Sequence, residues 1–119
     1  MRDFRKIKAW QLADDLAVAV YDVSKSFPRE EIYGITSQLR RAASSVAANI
    51  VEGASRESFK DYAHFLQIAR GSLAETQYFL HLAKRLSYLD DAQSVQVEAL
   101  AKETFACLHG LILPVRREA

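Results

Sequence analysis

Cysteine, glycine and proline are all scarce in this chain, and each scarcity excludes something. The single Cys107 has no partner for an internal disulfide, which fits a reducing compartment. Its apolar setting, Thr104-Phe105-Ala106-Cys107-Leu108, is that of an inert core thiol. Four glycines stand singly, so no phosphate-cradling loop is present. Two prolines and 26% charged residues, against 50% hydrophobic ones, describe a helical globular chain rather than a disordered one. No apolar run approaches the roughly 18 residues that a membrane span needs. The basic start, MRDFRKIKAW, is not followed by a signal-type apolar stretch. A cytoplasmic protein without a membrane-bound segment is therefore expected. Charge of one sign is lacking too: 16 basic and 15 acidic side chains leave +1. Nucleic-acid binding would then need a local patch.

What is present is organised around residues 31–57, EIYGITSQLRRAASSVAANIVEGASRE. Turned at about 100° per residue, Ile35, Leu39, Ala42, Ala43, Val46, Ile50 and Gly53 form one apolar stripe. Gln38, Arg41, Ser45, Asn49 and Glu52 run beside it. Ser37, Ser44, Ala48 and Val51, all small or medium-sized, lie on the far side. A helix with protein on more than one side is expected. Gly53 costs about 1 kcal/mol of helix propensity, so it either ends the helix near Ala54 or admits another backbone.

The remaining chain reads as three more helices. The first runs from about Ile7 or Trp10 to Ser26, with Trp10, Leu12, Ala13, Leu16, Ala17, Val20, Tyr21 and Val23 inward. Phe27-Pro28 breaks it, and Pro28 to Glu31 reads as the entry to the central helix. The third spans about Phe59 to Leu86, with Ser58 and Asp61 approximating a capping box. Its Gly71-Ser72 step is a thin place where another helix could approach. The fourth runs from about Ala92 to Leu113, turns Val95, Leu100, Ala101, Thr104, Phe105, Leu108, Leu111 and Ile112 inward, and stops at Pro114. Short connections make the whole of residues 1–119 one all-α domain, an antiparallel up-down four-helix bundle.

Chemistry is sparse. No pair of Glu-x-x-His motifs supports a di-iron site, and His64, His81 and His109 are too far apart for a helical metal pair. Neither a metal nor another cofactor is expected, nor an enzyme. Polar residues at the core edge must be paired, which makes Gln38, Asn49, Glu52, Ser72 and Glu75 candidates for an internal network, with Arg41 as a partner. Glu52 and Arg56 are spaced to pair along one helix. Arg40, Arg41, Arg56 and Lys60 are the candidates for phosphate contact, and an oligomer would multiply them into a ring.

Several blocks recur together in one known pattern. They are Phe4 with Trp10, Phe27-Pro28, Glu31-x-Tyr33-Gly34, Gln38-Leu39-Arg40-Arg41-Ala42-Ala43, Asn49-Ile50-x-Glu52-Gly53 and Phe65-Leu66-x-Ile68-Ala69-x-Gly71-Ser72-x-x-Glu75. The chain resembles the bacterial four-helix-bundle family named for the 23S ribosomal RNA intervening-sequence protein. That resemblance covers nearly the whole chain and implies a small cytosolic homopentamer of unestablished biochemical role. A related branch, the accessory protein of diversity-generating retroelements, implies a basic pentameric barrel that binds nucleic acid. This chain departs from that branch in being near neutral, and carries Ser87 where the family's turn often has Gly. The resulting expectation is a non-catalytic ring that binds RNA or a ribonucleoprotein. The alternative is a protein-interaction scaffold without nucleic-acid affinity.

Overall fold

Local chemical signals mark several of the helix boundaries. The computed structural model describes residues 2–119. Four helices, α1 (Lys8–Ser24), α2 (Ile35–Ala54), α3 (Phe59–Arg85) and α4 (Asp91–Glu118), carry the fold, with short 3-10 turns at Phe4–Lys6 and Arg29–Glu31. No strand occurs among the described residues. The Ser58 hydroxyl accepts the Asp61 amide at 3.1 Å and opens α3. Asp90 and Gln93 form a reciprocal capping box at 2.8 and 3.1 Å and open α4. At the end of α3, the Tyr88 amide donates to the Ala83 carbonyl and Ser87 to Lys84, the Schellman arrangement. Ser87 pays the conformational cost with a φ of 62°, which explains why glycine suits that turn.

Three expectations about the elements need correction. Pro28 to Glu31 does not lead straight into α2; a 3-10 turn and residues 32–34 intervene before Ile35. Pro114 does not stop α4, which continues to Glu118. Pro114 and Gly110, whose carbonyl loses its donor, are both exposed, so that group is left on the solvent side rather than in the core, while buried Val115 anchors the last turn. Val95 and Phe105 are 66% and 37% exposed rather than inward. The inward file of α4 is instead Ser94, Val97, Ala101, Thr104, Leu108, Ile112 and Val115. Ala101, Thr104, Leu108 and Ile112 lie inward as expected, whereas Ser94, Val97 and Val115 join them unannounced, Ser94 because an apolar pattern passes over a hydroxyl. Tyr21 is likewise exposed.

Each helix packs on two others. α2–α3 is the most extensive seam and α1–α4 the least, with α1–α2 and α3–α4 between them. Diagonal helices are not neighbours among the described residues. Leu16, Leu39, Ile50, Leu66, Leu73, Leu80, Leu108 and Ile112 fill the centre and are wholly buried. Each contributes about 1.5–3 kcal/mol by leaving water. Gly53 shows why α2 and α3 can meet so closely. A Cβ there would lie 3.0 Å from both Phe65 Cβ and Tyr62 Cδ1, so glycine permits the approach at the very turn it helps to end. Gly71 has open space around it instead, and no helix of the same chain approaches there.

Candidate functional site

The polar file of α2 meets α3 along a groove of about 300 Å³. At its base the hydroxyls of Ser45 and Ser72 lie 3.0 Å apart. The Asn49 amide nitrogen donates to the Ser45 carbonyl at 2.8 Å and to its hydroxyl at 2.9 Å. Thr76 donates to the Ser72 carbonyl at 2.8 Å. This is a clasp: Asn49 fixes Ser45, Ser45 holds Ser72, and two helices are joined through small side chains. Each bond adds about 1 kcal/mol net.

Of the expected network, Asn49 and Ser72 belong to the clasp. Gln38 and Glu75 line the groove above it, with Arg41 and Phe79, and form no side-chain hydrogen bond among the described residues. Glu52 lies outside the clasp, paired with Arg56 one turn on, as their spacing allows. Asn49 takes Ser45 rather than Arg41 as its partner, because a residue four positions back is within reach along the same helix. Ser45 itself was visible as a member of the polar file, but its small size concealed its central place.

The four candidate cations do not form one patch within a chain. Arg40 donates through Nε to the Ser24 hydroxyl at 2.8 Å and lies 4.8 Å from the Tyr21 ring centroid. Arg41 is exposed beside it. Arg56 sits sixteen positions further on, about 24 Å by helical rise, over the Phe65 ring at 4.7 Å. Its carbonyl accepts Arg2 Nη1 at 2.7 Å, and Arg2 in turn covers the Tyr62 ring at 4.2 Å. Arg56 is therefore built into the α2–α3 turn, while Lys60 is exposed nearby. Burial raises the Tyr62 phenol above its ordinary 10.0, against the opposing charge of Arg2. Sequence reasoning passed over Lys25 and Arg29, which flank Arg40 across the α1–α2 turn; only their proximity in space reveals them.

At the same turn, Tyr88 donates to a Glu31 carboxylate oxygen at 2.8 Å. That bond, then burial and the charges of Glu31 and Glu30, raise the phenol above 10.0. No group of three or more His, Cys, Asp or Glu side chains able to hold a metal gathers among the described residues. No helix among them is long and apolar enough to cross a membrane.

The fold and its joined small-residue seam define an all-helical protein of four helices. Residues 5–110 match the 23S rRNA-intervening sequence protein family, and the chain belongs to that family. Among solved structures it is similar to a protein of unknown function from the S23 ribosomal protein family of Bacteroides thetaiotaomicron. The two share 25% identity with a TM-score of 0.81, over 88% of this chain and 98% of the other. Comparison with curated proteins finds no match.

Proposed function

We propose that this protein acts by binding rather than catalysis, as a cytoplasmic ring of antiparallel up-down bundles whose partner is RNA or a ribonucleoprotein. The observation that carries this reading is the cluster of Lys25, Arg29, Arg40 and Arg41 around the head of α2, beside Tyr21 and the 94%-exposed Tyr33. Cations interleaved with aromatic faces suit a phosphate backbone with unstacked bases. In a chain of net charge +1, such a local cluster bears the whole electrostatic load. The short links 55–58 and 86–90 support antiparallel neighbours.

Ser44 and Ala48 form a flat exposed strip on α2, open to a second copy. A heterologous contact of that kind closes a cyclic ring, and the family resemblance points to five copies. Such a ring repeats the cationic cluster and brings separated arginines of different copies onto one surface. The resemblance to the retroelement accessory protein favours the same ligand class.

Native mass spectrometry at low salt tests this reading. Five subunits carrying extra mass that ribonuclease removes is the expected result. A bare five-subunit mass favours the second reading, a protein-interaction ring. That alternative draws on the hollow between α1 and α4, walled by Ala19, Val23, Val97 and Leu100. A monomer would overturn both. Ala48→Arg should dissociate the ring with helicity retained, and an unchanged oligomeric mass would place the interface elsewhere.

A further inference from the structure

Two hollows, of about 330 and 420 Å³, meet at the head of α2. Ile32, Thr36 and Arg40 belong to the walls of both. Lys25 and Arg29 complete one, and Tyr21 and Arg41 the other. No aspartate or glutamate lines either hollow among the described residues.

Three features converge there. First, α2 is twenty residues long, its N-cap is Gly34 without a capping side chain, and its first turn holds no acid. The amides of Ile35, Thr36 and Ser37 precede the first helical bond, from Gln38 to Gly34, so these donors have no partner within the helix, although the Glu31 carboxylate stands beside Gly34 and offsets part of the positive end. Second, Thr36 is 3% exposed, and its hydroxyl has no hydrogen-bond partner among the described residues. A buried hydroxyl left without a partner is costly; Thr36 lines both hollows, with this oxygen covered just beneath their surface. Third, Arg40 is held from behind by the Ser24 hydroxyl and the Tyr21 ring. Its two terminal nitrogens form no hydrogen bond or ion pair among the described residues. A guanidinium anchored through Nε presents a ready fork for two anionic oxygens.

Three acids stand nearby. Asp22 pairs with Lys25 at 3.3 Å, an exposed contact that a competing anion replaces easily. Glu31 takes the Tyr88 phenol through one carboxylate oxygen and holds the other beside Gly34, so an arriving phosphate shares that end of the helix with it and draws mainly on the Arg40 side; Glu30 is exposed on the 3-10 turn.

We propose that the head of α2 is a phosphate-binding site, in which the Arg40 fork, the Thr36 hydroxyl and the free amides of the first turn receive one phosphate group, with Arg29 and Lys25 as outer charges. The proposal rests on the nucleic-acid reading for its source, a phosphodiester of a single strand, though free phosphate offers the same oxygens. Tyr33 and Ile32, both exposed on the adjoining turn, would then face the neighbouring base.

Amide-resolved NMR of the full chain tests it, with separate titrations of inorganic phosphate and a ten-nucleotide single-stranded RNA at low salt. Both should shift the amides of Ile35, Thr36 and Ser37. Arg40→Gln should weaken RNA binding by about tenfold, the loss expected of a charge-assisted contact, and lower the salt slope by about 0.7 for each lost phosphate. Because Arg40→Gln also removes the tie to Ser24, Thr36→Val and the exposed-site variant Arg29→Gln provide independent checks; each should weaken binding a few-fold with an unchanged melting temperature or a raised one. RNA that binds while shifting only amides near Arg56 and Lys60 overturns this site and leaves the nucleic-acid reading intact. Phosphate that shifts the first-turn amides while RNA does not bind keeps the site, with free phosphate as its ligand, and removes the nucleic-acid reading. No shift with either ligand overturns both.

Discussion

The two extreme seams of the bundle are built on opposite principles. Between α2 and α3 the side chains are small, the backbones approach at Gly53, and hydroxyls meet across the interface. Between α1 and α4 the contact is the least extensive, and an open hollow of about 330 Å³ remains, walled mainly by aliphatic side chains. A close seam depends on the absence of atoms, because one added carbon meets a neighbour. An open seam depends on the presence of atoms, and losing one there leaves little that was not already accessible. The difference teaches that helix pairing in this protein is specified on one side by shape and on the other mostly by apolar area.

The largest expected effect comes from comparing leucines. Leu39→Ala, in the wholly buried centre beside the close seam, should lower stability by about 2–5 kcal/mol. Leu100→Ala, half-buried at the open seam, should cost about 1 kcal/mol, and equal losses in urea unfolding would erase the contrast. Next come the glycines. Gly53→Ala should destabilise by about 1–3 kcal/mol through overpacking against Tyr62 and Phe65. Gly71→Ala, with nothing within reach of its new carbon, should stabilise by about 0.5–1 kcal/mol through helix propensity. A lower melting temperature for Gly71→Ala would put that face under a second copy. Smaller again is Ser87→Gly, which relieves a left-handed backbone and should add about 1 kcal/mol.

The smallest effect is with pH. Tyr62 and Tyr88 both have phenols raised in the folded state. Their contribution is therefore complete below the unfolded pKa of about 10 and is lost as pH rises through the folded values. Melting temperatures measured from pH 9 upward should fall less steeply in Tyr88→Phe than in the parent chain; parallel curves would remove Tyr88 from that account.

Much of the fold was legible because it rests on periodic apolar positions and local caps. The ends of α2 at Ala54 and α3 near Arg85, the Ser58 cap and the dual role of Gly53 follow from residues a few positions apart. The errors arose where tertiary surroundings override a local rule. Pro114 is tolerated because the carbonyl it strips lies on the solvent side. The inward face of α4 begins at buried Ser94, which apolar counting ignores. The candidate site was half legible. Asn49 and Ser72 declared themselves as polar residues at a core edge, whereas Glu52 found its partner on its own helix. The grouping of Lys25 and Arg29 with Arg40 depends on how α1 folds back on α2, which no spacing along the chain encodes.

The bond from Tyr88 to Glu31, together with the Phe27–Tyr88 ring contact at 5.6 Å, joins the α1–α2 connection to the α3–α4 connection. Loops so linked do not open one at a time. In hydrogen exchange the amides of residues 29–34 and 86–89 should behave as one cooperative unit, with a single opening free energy that Tyr88→Phe lowers in both places at once. The head of α2 adjoins that unit. The phosphate site proposed there would thus be governed partly from the α3–α4 turn, whose Tyr88 lies 57 residues beyond Glu31, by a contact that never touches what is bound.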